Sequence, residues 1–581
     1  MKRLALAAVA LMLLVSPASA QSAGETLARL LEDERAFVWR EDPLSATSDG
    51  VRDYDNRLPS ATPADFARRT RENESFLSRL RGIDRSSLGP QEQVSYDLFA
   101  FMVGQRVTLA RYDEWRLPLN SDSGFYSEIL LLHSLHAPRS VRDYENYIAR
   151  LNDVLRYFRE NISNMRQGMR DGFTLPREIV GGVGQVISGL QFERPEDMGL
   201  WQPFAAFPDA VPQSERARLA EAGRAAIANS VIPAFDEFRT FFDTEYAPRA
   251  RATIAATRLP NGRAYYADLV RYFTTLPNAT PQQIHRTGLA EVRRIRAEME
   301  AIVREVGFDG TFAEFLTFLR TDPQFYAETP EQLLREAAWI TREIDAEMPN
   351  YFGRIPRTPY TVRPVPAELA PNYTGGRYNG GPVGAAGEYW VNTYALNTRP
   401  LYVLPSLTAH EAAPGHHTQG ALARELENLP RFRQSFYPHA FGEGWGLYSE
   451  RLAGEMGVYH TPYQRFGRLT YEMWRACRLV VDTGMHSMGW SRQRALDYLS
   501  SNTALSTHEI RTEIDRYSAW PGQALAYKTG ELQIIALRER AQRELGENFD
   551  VRAFHDAVLA NGGVTLPVLE TQIEAYIAAA R

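Results

Sequence analysis

Thr408-Ala409-His410-Glu411-Ala412-Ala413-Pro414-Gly415-His416-His417-Thr418-Gln419 places three histidines and a glutamate within eight residues. A His-Glu pair opening a helix, with another histidine shortly after it, is the pattern of a zinc hydrolase. In the usual form the two histidines stand at i and i+4 and share one helix face, and the glutamate beside the first acts as general base. Here position i+4 is Pro414, and the next histidines stand at i+6 and i+7. Pro414 cannot donate to the carbonyl of His410 and Gly415 weakens the helix further, so the helix must bulge or break at this point. Two geometries follow. A bulge that absorbs two residues puts His416 in the second ligand position. A regular helix would instead return His417 to the His410 face, because seven residues make nearly two turns. The irregular turn expected at Pro414-Gly415 favours His416, with His417 as the alternative; the other ring would line the site.

A catalytic zinc needs a third protein ligand and an open position for water. Phe441-Gly442-Glu443-Gly444-Trp445-Gly446-Leu447-Tyr448-Ser449-Glu450 follows about thirty residues later, room for one helix, a turn and an antiparallel return. Glu443 at the start of that return would point back at the histidines. Glu450, two turns on, would hold a histidine ligand through its second ring nitrogen.

Outward from this core, the 581-residue chain is 44% hydrophobic and 23% charged, the profile of a large globular protein. Its net charge of −6 offers no bulk positive field, which argues against nucleic acid or anionic membrane as partners. The single cysteine, Cys477, rules out a disulfide framework and a cysteine-based zinc cage. Eight of the 11 histidines follow residue 400, so the chemistry is expected in the last third. At the N-terminus, Lys2-Arg3, the apolar run Leu4–Val15 and Ala18-Ser19-Ala20 make a secretory signal over residues 1–20. No cysteine follows that cleavage site, so a lipid anchor is not expected, and the mature protein is expected to be secreted, periplasmic in a cell with an outer membrane.

Apolar residues at helical spacing run through Ala64–Arg81, Ser140–Arg170, Gln213–Tyr246, Thr280–Val306 and Thr329–Met348. Prolines cluster from Pro356 to Pro371, glycines from residue 374 to 387, and Glu388–Thr393 reads as a strand. The expected fold is mainly α: a large helical two-lobed bowl with a deep cleft and a small β element beside the zinc-binding helices. The expected division is a helical N-terminal lobe over residues 21–270 and a catalytic lobe over 271–581.

The motifs His-Glu-x-x-Pro-Gly-His-His-x-Gln and Glu-Gly-Trp-x-Leu-Tyr-x-Glu resemble the bacterial family catalogued as domain of unknown function 885. Further segments fit it: Arg475–His486 with Gly489-Trp490-Ser491, Arg516-Tyr517 followed by Pro521–Lys528, and the glycine-rich stretch ending in Tyr389–Thr393. That family is similar to helical zinc peptidases with two histidines and a glutamate as ligands, among them angiotensin-converting enzyme, thimet oligopeptidase and thermostable carboxypeptidases. The resemblance implies a zinc-dependent metallopeptidase of carboxypeptidase or oligopeptidase type, with one Zn2+ per chain on His410, His416 (or His417) and Glu443. A metal-activated water would attack the peptide, with Glu411 as general base. Tyr517 and Tyr527 are candidates to stabilise the oxyanion, Tyr517 being preferred, and His486 is a third. Asn392, on the strand, is a candidate to pair with an extended substrate backbone. Arg475, Arg478, Arg516 and Lys528 are candidate partners for a substrate carboxylate. The alternatives are a catalytically inactive peptide-binding protein of the same fold and a zinc amidase on a non-peptide substrate. Oligomeric state is not legible in the sequence.

Overall fold

Several helix starts in this chain are written as Ser or Thr followed three residues later by an acidic or amide side chain, so that each end supplies the other's missing backbone hydrogen bond. Ser140 and Asp143 cap Val141–Asp171, Thr280 and Gln283 cap Pro281–Glu305, and Thr461 and Gln464 cap Pro462–Ser487. The computed structural model describes residues 22–367, 369–381, 385–427 and 429–581. The expected signal over residues 1–20 lies outside them.

The protein is mainly α with one small sheet. The expected helices are present at Pro63–Arg81, Val141–Asp171, Pro281–Glu305 and Pro330–Tyr351. The stretch expected as one regular helix over Gln213–Tyr246 is helical, but π turns at Ile227–Val231 and Phe242–Tyr246 widen it. Among the described residues, no helix is long and apolar enough to cross a membrane.

Three strands form the sheet: β1 (Tyr360–Pro364), β2 (Gly376–Asn379) and β3 (Gly387–Val391). Their order is β1-β3-β2, with β3 parallel to β1 and antiparallel to β2. The expected strand is therefore the central one, and its alternate residues Gly387, Tyr389 and Val391 are buried. β2 lies at an edge, beside the histidine helices.

The two large apolar cores do not divide at residue 270. Leu27, Leu30 and Phe37 of the first helix share a core with Ile573 and Ile577 of the last. A second core draws on residues between Leu44 and Ala250. An amphipathic helix buries its apolar face wherever a matching face lies, and sequence distance does not enter. The helix Pro462–Ser487 runs through the first core and is buried on almost every side from Phe466 to His486. Beside it, His439–Glu455 and Ala526–Leu545 cross at Gly444 and Gly530. A Cβ on Gly530 would stand 1.7 Å from the Ala440 carbonyl oxygen, so only glycine permits this approach.

Candidate metal centre

The proline break is what assembles the site. One helix, Leu404–Glu411, ends at Glu411, and the next, His416–Arg424, starts at His416. Between them the Pro414 carbonyl accepts a 2.8 Å hydrogen bond from the indole of Trp445, which ties the break to the helix His439–Glu455. The rings of His410 and His416 then stand nearly perpendicular, with centroids 4.7 Å apart.

Glu443, in the first turns of His439–Glu455, faces both. Its Oε2 lies 3.7 Å from His410 Nε2 and 3.5 Å from His416 Nε2. One potential ligand atom from each of the three residues falls within 4.8 Å of the others. Ligands about 2.0–2.2 Å from a tetrahedral zinc stand about 3.3–3.5 Å from one another, so the two contacts to Glu443 match a single ion. The helix reaches this position because Gly446 carries no side chain: a Cβ there would meet the His410 ring at 2.7 Å.

Glu450 completes the arrangement. Its Oε1 accepts from His410 Nδ1 at 2.8 Å and lies 3.4 Å from Arg475 Nη2. Donation at Nδ1 leaves Nε2 to face Glu443, the orientation a metal ligand needs. Burial works against a charge on His410, yet the adjacent carboxylates of Glu443 and Glu450 outweigh it and push its pKa up to about 10. His410 and His416 together hold the half-buried Glu443 well below the usual carboxylate range. Imidazoles and carboxylates so placed stabilise one added positive charge, and a divalent cation would meet the same demand. The residues present therefore fit the zinc implied by the sequence.

Glu411, beside His410, has its Oε2 fixed by a 2.8 Å hydrogen bond from the backbone amide of Tyr378 on the edge strand. His410, Glu411, His416 and Glu443 line one cavity of about 680 Å³. Tyr527 lines it too, its ring centroid 6.4 Å from that of His410. The Tyr527 hydroxyl accepts from Arg516 at 3.3 Å. Burial and Glu443 oppose its ionisation, but Arg516 and Arg478 overcome them and bring its pKa below the usual tyrosine value. Arg475, Arg478 and Arg516 also line the cavity.

Several sequence expectations are corrected. His417 points away: its Nδ1 pairs with the Tyr378 hydroxyl at 3.2 Å and its ring packs on Tyr360, so His416 alone joins the cluster. Tyr517 is buried off the cavity, its hydroxyl accepting from Trp474 and from Arg478, each at 2.8 Å. Tyr527 therefore takes the position for which Tyr517 was preferred. His486 has both ring nitrogens engaged, Nδ1 accepting from the Ala256 amide at 3.1 Å and Nε2 donating to the Tyr517 carbonyl at 2.9 Å. Lys528 is fully buried among Glu531, Glu472 and Glu291 at 2.6, 2.8 and 3.1 Å. Asn392 donates to the carbonyls of Ala370, Tyr373 and Thr374, fixing the loop before β2. The strand it follows is paired on both sides and has no edge to offer a substrate. Sequence reasoning missed Arg377 and Tyr437, which line the cavity. Arg377 sits in the glycine-rich segment noted just before the expected strand, the one signal that could have found it. The Tyr378 amide, a backbone group, leaves no side-chain signal.

The fold and site together define a helical protein with a His-His-Glu cluster on the wall of a cleft. The chain belongs to the family described as "Bacterial protein of unknown function (DUF885)", whose model matches residues 43–573. It is similar to the solved structure of the "putative lipoprotein" from Colwellia psychrerythraea, at 28% identity and a TM-score of 0.89, over 96% of this chain and 100% of that one. A lipoprotein of unknown function from Shewanella oneidensis, likewise "putative", shares the fold at 17% identity and a TM-score of 0.74, with the same coverage. No curated protein matches the chain.

Proposed function

We propose that this protein is an exported, zinc-dependent hydrolase of peptides. The observation that carries the reading is the convergence of His410, His416 and Glu443 with Glu411 in one cavity. His410, His416 and Glu443 would hold one zinc ion. Zinc bound there would supply a Lewis acid that acidifies water and polarises a carbonyl. Glu411 is the general base: the Tyr378 amide engages Oε2 and orients the carboxylate, and Oε1 takes the proton and returns it to the leaving amine. Tyr527, with its pKa lowered beside Arg516, donates a hydrogen bond to the developing oxyanion. Glu450 keeps His410 in the required tautomer. The signal-like residues 1–20 and the relatives' description as lipoproteins support export to the periplasm.

Incubating the zinc-loaded mature protein with a mixed peptide library, and reading cleavage by mass spectrometry, tests this. Discrete cuts abolished by chelation are expected. An intact library from a protein carrying one zinc per chain would overturn the assignment.

A further inference from the structure

Seven arginines line the metal-centre cavity against four carboxylates, in a chain whose net charge is −6. One of the four, Glu509, is pushed up to about 7 by burial, which lightens the negative side further. A cavity of sign opposite to that of the whole protein concentrates anions.

Most of these arginines have a structural partner. Arg35 pairs with Asp49, Arg475 with Glu450, and Arg478 and Arg516 share Glu513. Arg424 donates to the Gly380 carbonyl at 2.6 Å. Arg377 is different. Among the described residues its guanidinium forms no ion pair and no hydrogen bond, and it meets the ring of Tyr373, 5.3 Å from the centroid. Its side chain is exposed, and the surface it faces is the cavity. A guanidinium with no wall of its own to brace has its donors free for a ligand.

Its position says which part of a ligand. Arg377 is on β2, one residue before Tyr378, whose amide orients Glu411. Arg516 comes from another wall, the helix Thr507–Ala519, and its guanidinium touches the Tyr527 hydroxyl. Arg377 and Arg516 line the same cavity, together with Glu411 and Tyr527. Two cations brought together from separate elements repel unless an anion lies between them. Tyr527, its ring 6.4 Å from that of His410 and its hydroxyl 3.3 Å from Arg516, links the metal centre to the Arg516 side of the cavity.

We propose that Arg377 and Arg516 form a clamp for a substrate carboxylate held beyond Tyr527, so that the preferred substrates are peptides with a carboxylate beside the bond cleaved. The inference rests on the peptide-site reading above and names its substrate class. Two sources share this chemistry, the C-terminal α-carboxylate and an acidic side chain near the end.

Three peptides of equal length separate them: a free C-terminal acid, its C-terminal amide, and the amide with Asp as last residue. Affinities are measured by calorimetry on zinc-loaded protein carrying Glu411→Gln, and cleavage is followed separately on the unaltered protein. The free acid is expected to bind about tenfold or more tighter than the amide, the worth of a charge-assisted contact. Arg377→Gln is expected to erase that preference and Arg377→Lys to restore part of it, with unchanged melting temperatures because Arg377 braces nothing. If the Asp amide matches the free acid, any nearby carboxylate serves; if it matches the plain amide, the α-carboxylate is the ligand. Equal affinities for acid and amide, a preference that survives Arg377→Gln, or no binding of any peptide would overturn the clamp. An Arg377-dependent preference without cleavage would leave the clamp standing and sink the peptidase reading.

Discussion

Two clusters of buried charge lie on neighbouring helices and behave oppositely. Around Lys528, three cations face three carboxylates: Lys528 meets Glu531, Glu472 and Glu291, while Arg468 meets Glu472 and Arg294 meets both Glu291 and Glu472. Around His410, the carboxylates of Glu443 and Glu450 face imidazoles, which carry charge only when a proton is trapped. The first cluster is closed and supplies its own counter-charge. The second opens on a cavity: Arg475 reaches Glu450, but Glu443 faces only the imidazoles of His410 and His416. Burial of charge alone therefore does not mark a site; missing counter-charge together with access to solvent does.

The comparison can be broken in several places. His416→Ala should have the largest effect, abolishing stoichiometric zinc binding as measured by metal analysis of the purified protein. His417→Ala, which removes a ring outside the cluster, should keep about one zinc per chain. Glu411→Gln should retain zinc and lower turnover by about 10²–10⁴-fold, the usual worth of a general base; unchanged turnover would remove Glu411 from the role. In the closed cluster, Lys528→Met should cost about 3–5 kcal/mol in chemical denaturation, because it strands buried carboxylates. It should leave zinc content intact, and zinc loss without destabilisation would show the two clusters to be one. The smallest effect sharpens the contrast: Glu450→Gln should weaken zinc affinity by about 10–100-fold in competition with a chelator, without emptying the site at saturating metal.

Much of this was legible before any coordinates. The His-Glu pair, the proline that must interrupt its helix and the glutamates at 443 and 450 are local patterns, and local sterics carry them through to the structure. Most of the departures share one cause. Tyr527 and Lys528 are adjacent, yet successive residues on a helix point about 100° apart. One faces the cavity and the other a buried carboxylate cluster. Arg516 and Tyr517 divide in the same way. Nearness to a motif in sequence says little about facing it in space. Asn392 failed for a different reason: a strand read from its side chains does not say whether it will be central or at an edge, which depends on what pairs with it.

Residue type and local order by themselves determined that the protein is mainly helical and that His410, Glu411 and Glu443 belong to one site. They also required a break in the helix at Pro414, which follows from sterics within a turn or two of the chain. Only the tertiary structure put His416 rather than His417 beside His410 and Glu443, and Tyr527 rather than Tyr517 on the cavity wall. It alone left Arg377 without a partner in the cavity wall. Those outcomes depend on which helix faces meet across long sequence separations, and burial of apolar surface, blind to sequence distance, makes that choice.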